Sequence, residues 1–122
     1  MRIIAIRHVA AGWCARATAG TVGAAAAAGR LLALGPDRQR HALGVCATQA
    51  AGLVSEEGTD AGALQIGKAA GNAVEAALLG RDGFTSSAQP LEGRRGLFAL
   101  MSSAADESQL LDLDVDWRSR CG

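Results

Sequence analysis

Gly20-Thr-Val-Gly-Ala-Ala-Ala-Ala-Ala-Gly-Arg-Leu-Leu-Ala-Leu34 is the stretch on which the fold turns. Val22, Ala25, Gly29 and Leu32 recur in it at steps of three and four residues, the spacing that lines up side chains on one face of an α-helix. Gly35-Pro36 ends that helix and opens a second, since proline suits a first helical position and glycine the residue past a helix end. The second helix is expected over about 36–53. Its charged first turns, Asp37 to His41, give way to a stripe of Leu43, Cys46, Ala47, Ala50 and Leu53, and Asp37 lies near the positive end of the helix dipole. Residues 54–62 read as a polar connector, and a third helix follows over about 64–81. Lys68, Asn72 and Glu75 are expected on its polar face and Ala70, Val74, Ala77 and Leu78 on its apolar face, with Gly83 as a left-handed stop. Shorter helical pieces are expected over 87–92, 95–101 and 105–111, the last opened by a capping-box-like Ser103-x-x-Asp106. The expected fold class is all-α.

Toward the C-terminus the period changes. Leu111-Asp-Leu-Asp-Val-Asp-Trp117 alternates apolar and acidic residues, which reads either as one short β-strand or as a frayed helix end with an acidic tail. A lone strand is unstable in water, so the strand reading implies that a further domain begins there.

The 122 residues fit one domain. With 27 Ala and 16 Gly among them, and only 3% aromatic residues, the large apolar side chains that build a deep core are scarce. Twelve basic and twelve acidic residues cancel, which gives no electrostatic reason to expect nucleic acid or an anionic membrane surface as a partner. Ile3-Ile-Ala-Ile6 is interrupted by Arg7 and His8 before it reaches the length of a signal-peptide core. The alanine-rich stretch from Ala17 to Leu34 is too weakly apolar to hold a helix in lipid. Cys14, Cys46 and Cys121 are odd in number and widely spaced, which supports neither a disulfide framework nor a zinc knuckle. The expectation is a reduced, cytoplasmic chain.

Several motifs compete for a chemical role. Gly62-Ala-Leu-Gln-Ile-Gly67-Lys68 follows the phosphate-binding pattern, but Ala69 stands where a hydroxyl is needed for magnesium and no apolar strand precedes the loop. Asp112, Asp114 and Asp116 copy the first ligands of a calcium loop, yet Trp117 occupies the glycine position and no closing Glu follows. His8 and His41 are the only histidines, and their spacing to cysteine matches no zinc rule. They read as residues on the first amphipathic turn and near the start of the second helix. Cys14 is a nucleophile only if a base lies beside it, and otherwise a small buried residue.

The landmarks in order are more specific than any one of these. Gly12-Trp-Cys-Ala-Arg-Ala-Thr-Ala-Gly20 runs into the polyalanine stretch and Arg30-Leu-Leu-Ala-Leu34. After it come His41-Ala-Leu-Gly-Val-Cys-Ala-Thr-Gln-Ala-Ala-Gly-Leu53, Gly67-Lys-Ala-Ala70, Ala76-Ala-Leu-Leu79, Gly83-Phe-Thr85, Leu91-Glu-Gly93 and Gly96-Leu-Phe98. Over about residues 2–117 this series resembles the MmgE/PrpD family, which includes 2-methylcitrate dehydratase, cis-aconitate decarboxylase and iminodisuccinate epimerase. The resemblance implies that residues 1–122 form part of a helical domain, that a preceding segment and an α/β lid domain complete it, and that residues 112–122 start the lid. It also implies a dimer and proton abstraction or transfer beside a carboxylate, with no metal or cofactor. The family's His after Gly-Trp falls at Cys14, its Lys at Gly62 and a further His at Gln65. None of the catalytic positions is therefore intact: glycine offers neither proton nor charge, and cysteine cannot pair with a carboxylate as a cation.

The expected function is that of a truncated lyase or isomerase of citrate-like acids, inactive alone, which takes a small carboxylic acid only when missing segments complete it. The alternatives are a non-catalytic remnant that acts as a helical association module and self-associates as a homo-oligomer, and a nucleotide-binding module built on Lys68.

Overall fold

The computed structural model describes residues 8–101, so the alternating segment at 111–117, the 105–111 helix and the aspartates at 112, 114 and 116 lie outside the described residues. Among the described residues, four α-helices and one 3₁₀ turn are bounded on both sides: α1 (Ala19–Leu31), α2 (Pro36–Ala47), the turn Val54–Glu56, α3 (Asp60–Arg81) and α4 (Leu97–Met101). The fold class is all-α. Its only pairing of extended backbone among the described residues is an isolated antiparallel bridge between Trp13 and Leu53. No helix among the described residues is long and apolar enough to cross a membrane.

Each boundary has a local cause. α1 stops at Leu31, three residues short of the expected Leu34. Ala33 turns left-handed at φ +53°, Leu34 N–H reaches back to the Gly29 carbonyl and Ala33 N–H to Arg30, both at 3.0 Å. That is a Schellman closure made with alanine where glycine is usual. α2 opens on Pro36 as expected but ends at Ala47 instead of Leu53. There the Thr48 hydroxyl bonds back to the Val45 carbonyl at 2.7 Å, and residues 50–53 leave the helix to meet Trp13. α3 starts four residues earlier than expected, because Thr59 caps it by accepting from Gly62 N–H at 3.1 Å. At its far end Gly83, at φ +92°, supplies the left-handed stop, and Phe84 N–H closes on Leu79 at 2.9 Å. Residues 87–92 run through a bend into a turn at 90–92, not the expected helix; Pro90 has no N–H to give a helix, and its carbonyl is instead taken by Leu97 N–H.

Packing is by small residues. Ala25 from α1, Val45 and Cys46 from α2, and Ala73 and Ala76 from α3 make the main buried cluster, fringed by Ala24, Leu43 and Leu79. The helices approach so closely that a Cβ on Gly80 would lie 2.9 Å from both the Ala42 methyl and the Arg38 carbonyl. This corrects the expected orientation of α3. Its buried positions are Ala69, Ala73, Ala76, Ala77 and Gly80, while Ala70, Val74 and Leu78 face out. α3 meets α1 and α2 through alanine and glycine, and its larger residues Val74 and Leu78 lie on the outer face.

Candidate functional site

Cys14 owes its position to backbone. Gly12, at φ +103°, turns the chain. Beyond it Cys14 N–H donates to the Gly52 carbonyl and Val54 N–H to the Gly12 carbonyl, each at 2.9 Å. Gly52 is required by close approach, since a Cβ there would sit 2.5 Å from the Ala17 methyl, 3.2 Å from Gln65 Oε1 and 3.3 Å from Cys14 Cβ. The fold thus brings Cys14 and Gln65, distant in sequence, to opposite sides of one glycine.

Gln65 is a clamp. Leu53 N–H donates to its Oε1 at 2.9 Å, and its Nε2 donates to the Leu53 carbonyl at 3.1 Å. Both ends of the side-chain amide are consumed in pairing with one residue's backbone, as a neighbouring strand would pair with it. Cys14 lies beneath, 2% exposed, in a small cluster with Ala17, Ala69 and Ile66.

Gly62 lies one turn before Gln65 on α3, where a Cβ would collide with the Glu56 carbonyl oxygen of the 3₁₀ turn. The position therefore takes glycine because backbone occupies the space a side chain needs. Since α3 begins at Asp60, the whole phosphate-loop-like run from Gly62 to Lys68 is helical, and its amides are committed to the helix instead of forming a cradle. This removes the nucleotide-binding reading.

His8, read from the sequence as a residue of an amphipathic turn, is wholly buried. The Thr18 hydroxyl has two acceptors within reach, the Cys14 carbonyl at 2.9 Å and His8 Nε2, and the Nδ1 side of the ring carries the proton. His8 Nδ1 faces the Met101 carbonyl at 3.3 Å, and the ring stacks on Trp13 with centroids 5.9 Å apart and planes 6° from parallel. His8 thereby ties the Cys14 turn to the end of α4. His41 is half-buried at a different place, where its Nδ1 accepts from Ser86 N–H at 2.9 Å. Among the described residues no three His, Cys, Asp or Glu side chains gather as a metal site. Cys46 donates to the Thr21 carbonyl at 3.3 Å, and burial pushes its thiol up to about 11.

Two open cavities flank this arrangement. A groove of about 420 Å³ runs along α3 and the 49–56 segment, with Gln49, Gly52, Glu56, Gln65, Lys68 and Asn72 on its walls. A second, of about 550 Å³, lies between α2, the end of α3 and residues 84–100, with Val45, Leu79, Phe84, Ser86, Arg95 and Leu100 among its walls.

The profile of the MmgE/PrpD N-terminal domain matches residues 1–110. Cis-aconitate decarboxylase of Aspergillus terreus is 38% identical over 91 residues, which cover 74% of this chain and 19% of the relative. The cis-aconitate decarboxylase of A. terreus strain NIH 2624 / FGSC A1156 gives the same figures. The chain spans about a fifth of the length of these curated relatives.

Proposed function

The chain belongs to the MmgE/PrpD family, and from that premise we propose that it is a helical-core segment of a lyase or isomerase of citrate-like carboxylic acids, inactive on its own. In such chemistry a base removes or returns a proton at the carbon beside a carboxylate while cationic groups hold the acid. The observation that carries the reading is the state of the three family positions. Cys14 is buried against alanines, Gln65 spends its amide on Leu53, and the side-chain direction of Gly62 is closed by the Glu56 carbonyl. The scaffold of a site is kept and its acid–base groups are not. Catalysis on this reading requires residues from further segments of the family fold, in a cytoplasmic dimer.

A second reading, a helical association module, has its own observation. Leu64 and Val74 on the outer face of α3 are 65% and 52% exposed, with Leu78 beside them at 36%. Between them a Cβ on Gly67 or Gly71 would meet open space. Sedimentation showing a concentration-dependent homo-oligomer that Leu64→Ser with Leu78→Ser abolishes would support this module; a monomer at all concentrations would remove it.

The test of the catalytic reading is to mix the purified chain with 2-methylcitrate, cis-aconitate or iminodisuccinate and follow product formation and proton exchange by NMR. No turnover is expected. Cys14→His with Gly62→Lys should also fail, because a lysine at 62 displaces the 3₁₀ turn. Turnover by the unmodified chain that disappears in Cys14→Ala would overturn the reading.

A further inference from the structure

Position 62 cannot present a cation, yet a cation stands on the wall of the groove that Gln65 lines. Lys68 is the chain's only lysine. It follows Gln65 by three residues and precedes Asn72 by four on α3, so the three side chains share one helix face. That face is a wall of the 420 Å³ groove, and Gln49, from beyond the end of α2, lines it too. The volume is of the order that holds a small ligand.

The donor chemistry in the groove is unspent. Among the described residues Lys68 makes no ion pair. Gln49 and Asn72 are half-buried, and neither side-chain amide has a hydrogen-bond partner among the described residues, in contrast to the fully engaged Gln65. An ammonium and two amide NH₂ groups supply hydrogen-bond donors, and the ammonium adds the charge that suits a carboxylate. Glu56 is the one carboxylate on the walls. The Thr59 hydroxyl approaches its Oε2 at 3.3 Å, and its charge favours an acid whose carboxylates bind toward the Lys68 and Asn72 end.

We propose that Lys68, Asn72 and Gln49 form a subsite for a small di- or tricarboxylate, with Lys68 as the cation that position 62 lacks. The inference rests on the family reading above, that the ligand is a small carboxylic acid, and concerns binding alone. Gln65 acts here as a positioning residue, because its clamp on Leu53 fixes the wall opposite Lys68.

The experiment is an amide-resolved NMR titration of the full chain with tricarballylate, a tricarboxylate without the double bond of cis-aconitate, and with its uncharged trimethyl ester. The expected result is millimolar binding of the acid and none of the ester, with shifts centred on Gln49, Leu53, Lys68 and Asn72. Lys68→Gln should weaken binding roughly fivefold, as loss of one exposed ion pair does. Lys68→Arg should retain it, and Arg95→Gln in the second cavity should leave it unchanged. Scattered shifts, equal affinity in Lys68→Gln, or loss only in Arg95→Gln would overturn the proposal. A chain that turns over these acids yet binds tricarballylate as tightly with Lys68→Gln overturns this inference and the inactivity reading together. Groove binding without turnover supports both.

Discussion

The two halves of α3 are held by different physics. From Ala69 to Arg81 the helix is fixed by side-chain volume, its small residues packed closely on Ala25, Val45 and Cys46. From Asp60 to Ile66 it is fixed by polar contacts to backbone: Thr59 caps it, the Glu56 carbonyl abuts Gly62, and Gln65 grips Leu53. The first half makes the fold and the second makes the candidate site. The shape of the candidate site therefore rests on backbone pairing and depends little on the reactivity of its side chains.

If the comparison is right, the largest effect comes from crowding the alanine seam. Gly80→Val places its Cβ against Ala42 and the Arg38 carbonyl and should cost about 3 kcal/mol, read as a lowered urea midpoint. A loss under about 1 kcal/mol would mean that the seam is looser than its geometry.

The next effect is set by pH and also belongs to the core. The Cys46 thiol rises from 9.0 to about 11 because burial disfavours the thiolate. Between those values the unfolded chain releases this proton while the folded chain keeps it, so stability falls as pH rises through that window, by on the order of 2 kcal/mol. Cys46→Ala should flatten that part of the stability profile, and an unchanged slope would contradict the assignment.

In the site half the effects shrink. Thr59→Ala removes the cap of α3 and should cost about 1 kcal/mol. Smallest, and outside both halves, Ala33→Gly relieves the left-handed alanine that closes α1 and should stabilise by about 0.5 kcal/mol. Both are checked by chemical denaturation.

The same contrast explains what could be read from sequence. The periodicity between Gly20 and Leu34 shows α1, and Pro36 and Gly83 mark a start and a stop, because these are local signals of spacing and backbone preference. The rotation of α3 was not legible: periodicity weights Val74 and Leu78 as core, whereas the close approach of α1 and α2 selects Ala73 and Ala76. The early start of α3 was hidden because Ser55-Glu-Glu-Gly-Thr-Asp60 has the composition of a connector, although it holds the cap. At the site, the resemblance singled out positions 14, 62 and 65, but the roles they have here come from contacts with no periodic trace. Gln65 reaches Leu53 across 12 residues, and His8 reaches Met101 across 93. A lone glutamine or histidine carries no mark of such a partner.

Residue-resolved amide hydrogen exchange in the native chain and in Gln65→Ala tests the division of α3 most directly. Removing the clamp frees the Leu53 N–H from its acceptor and should speed its exchange by about tenfold or more, equivalent to about 1.4 kcal/mol. Exchange at Ala73 and Ala76 should stay as it was. A parallel acceleration at all three would show that site and core open as one unit, and would contradict the claim that they are held separately.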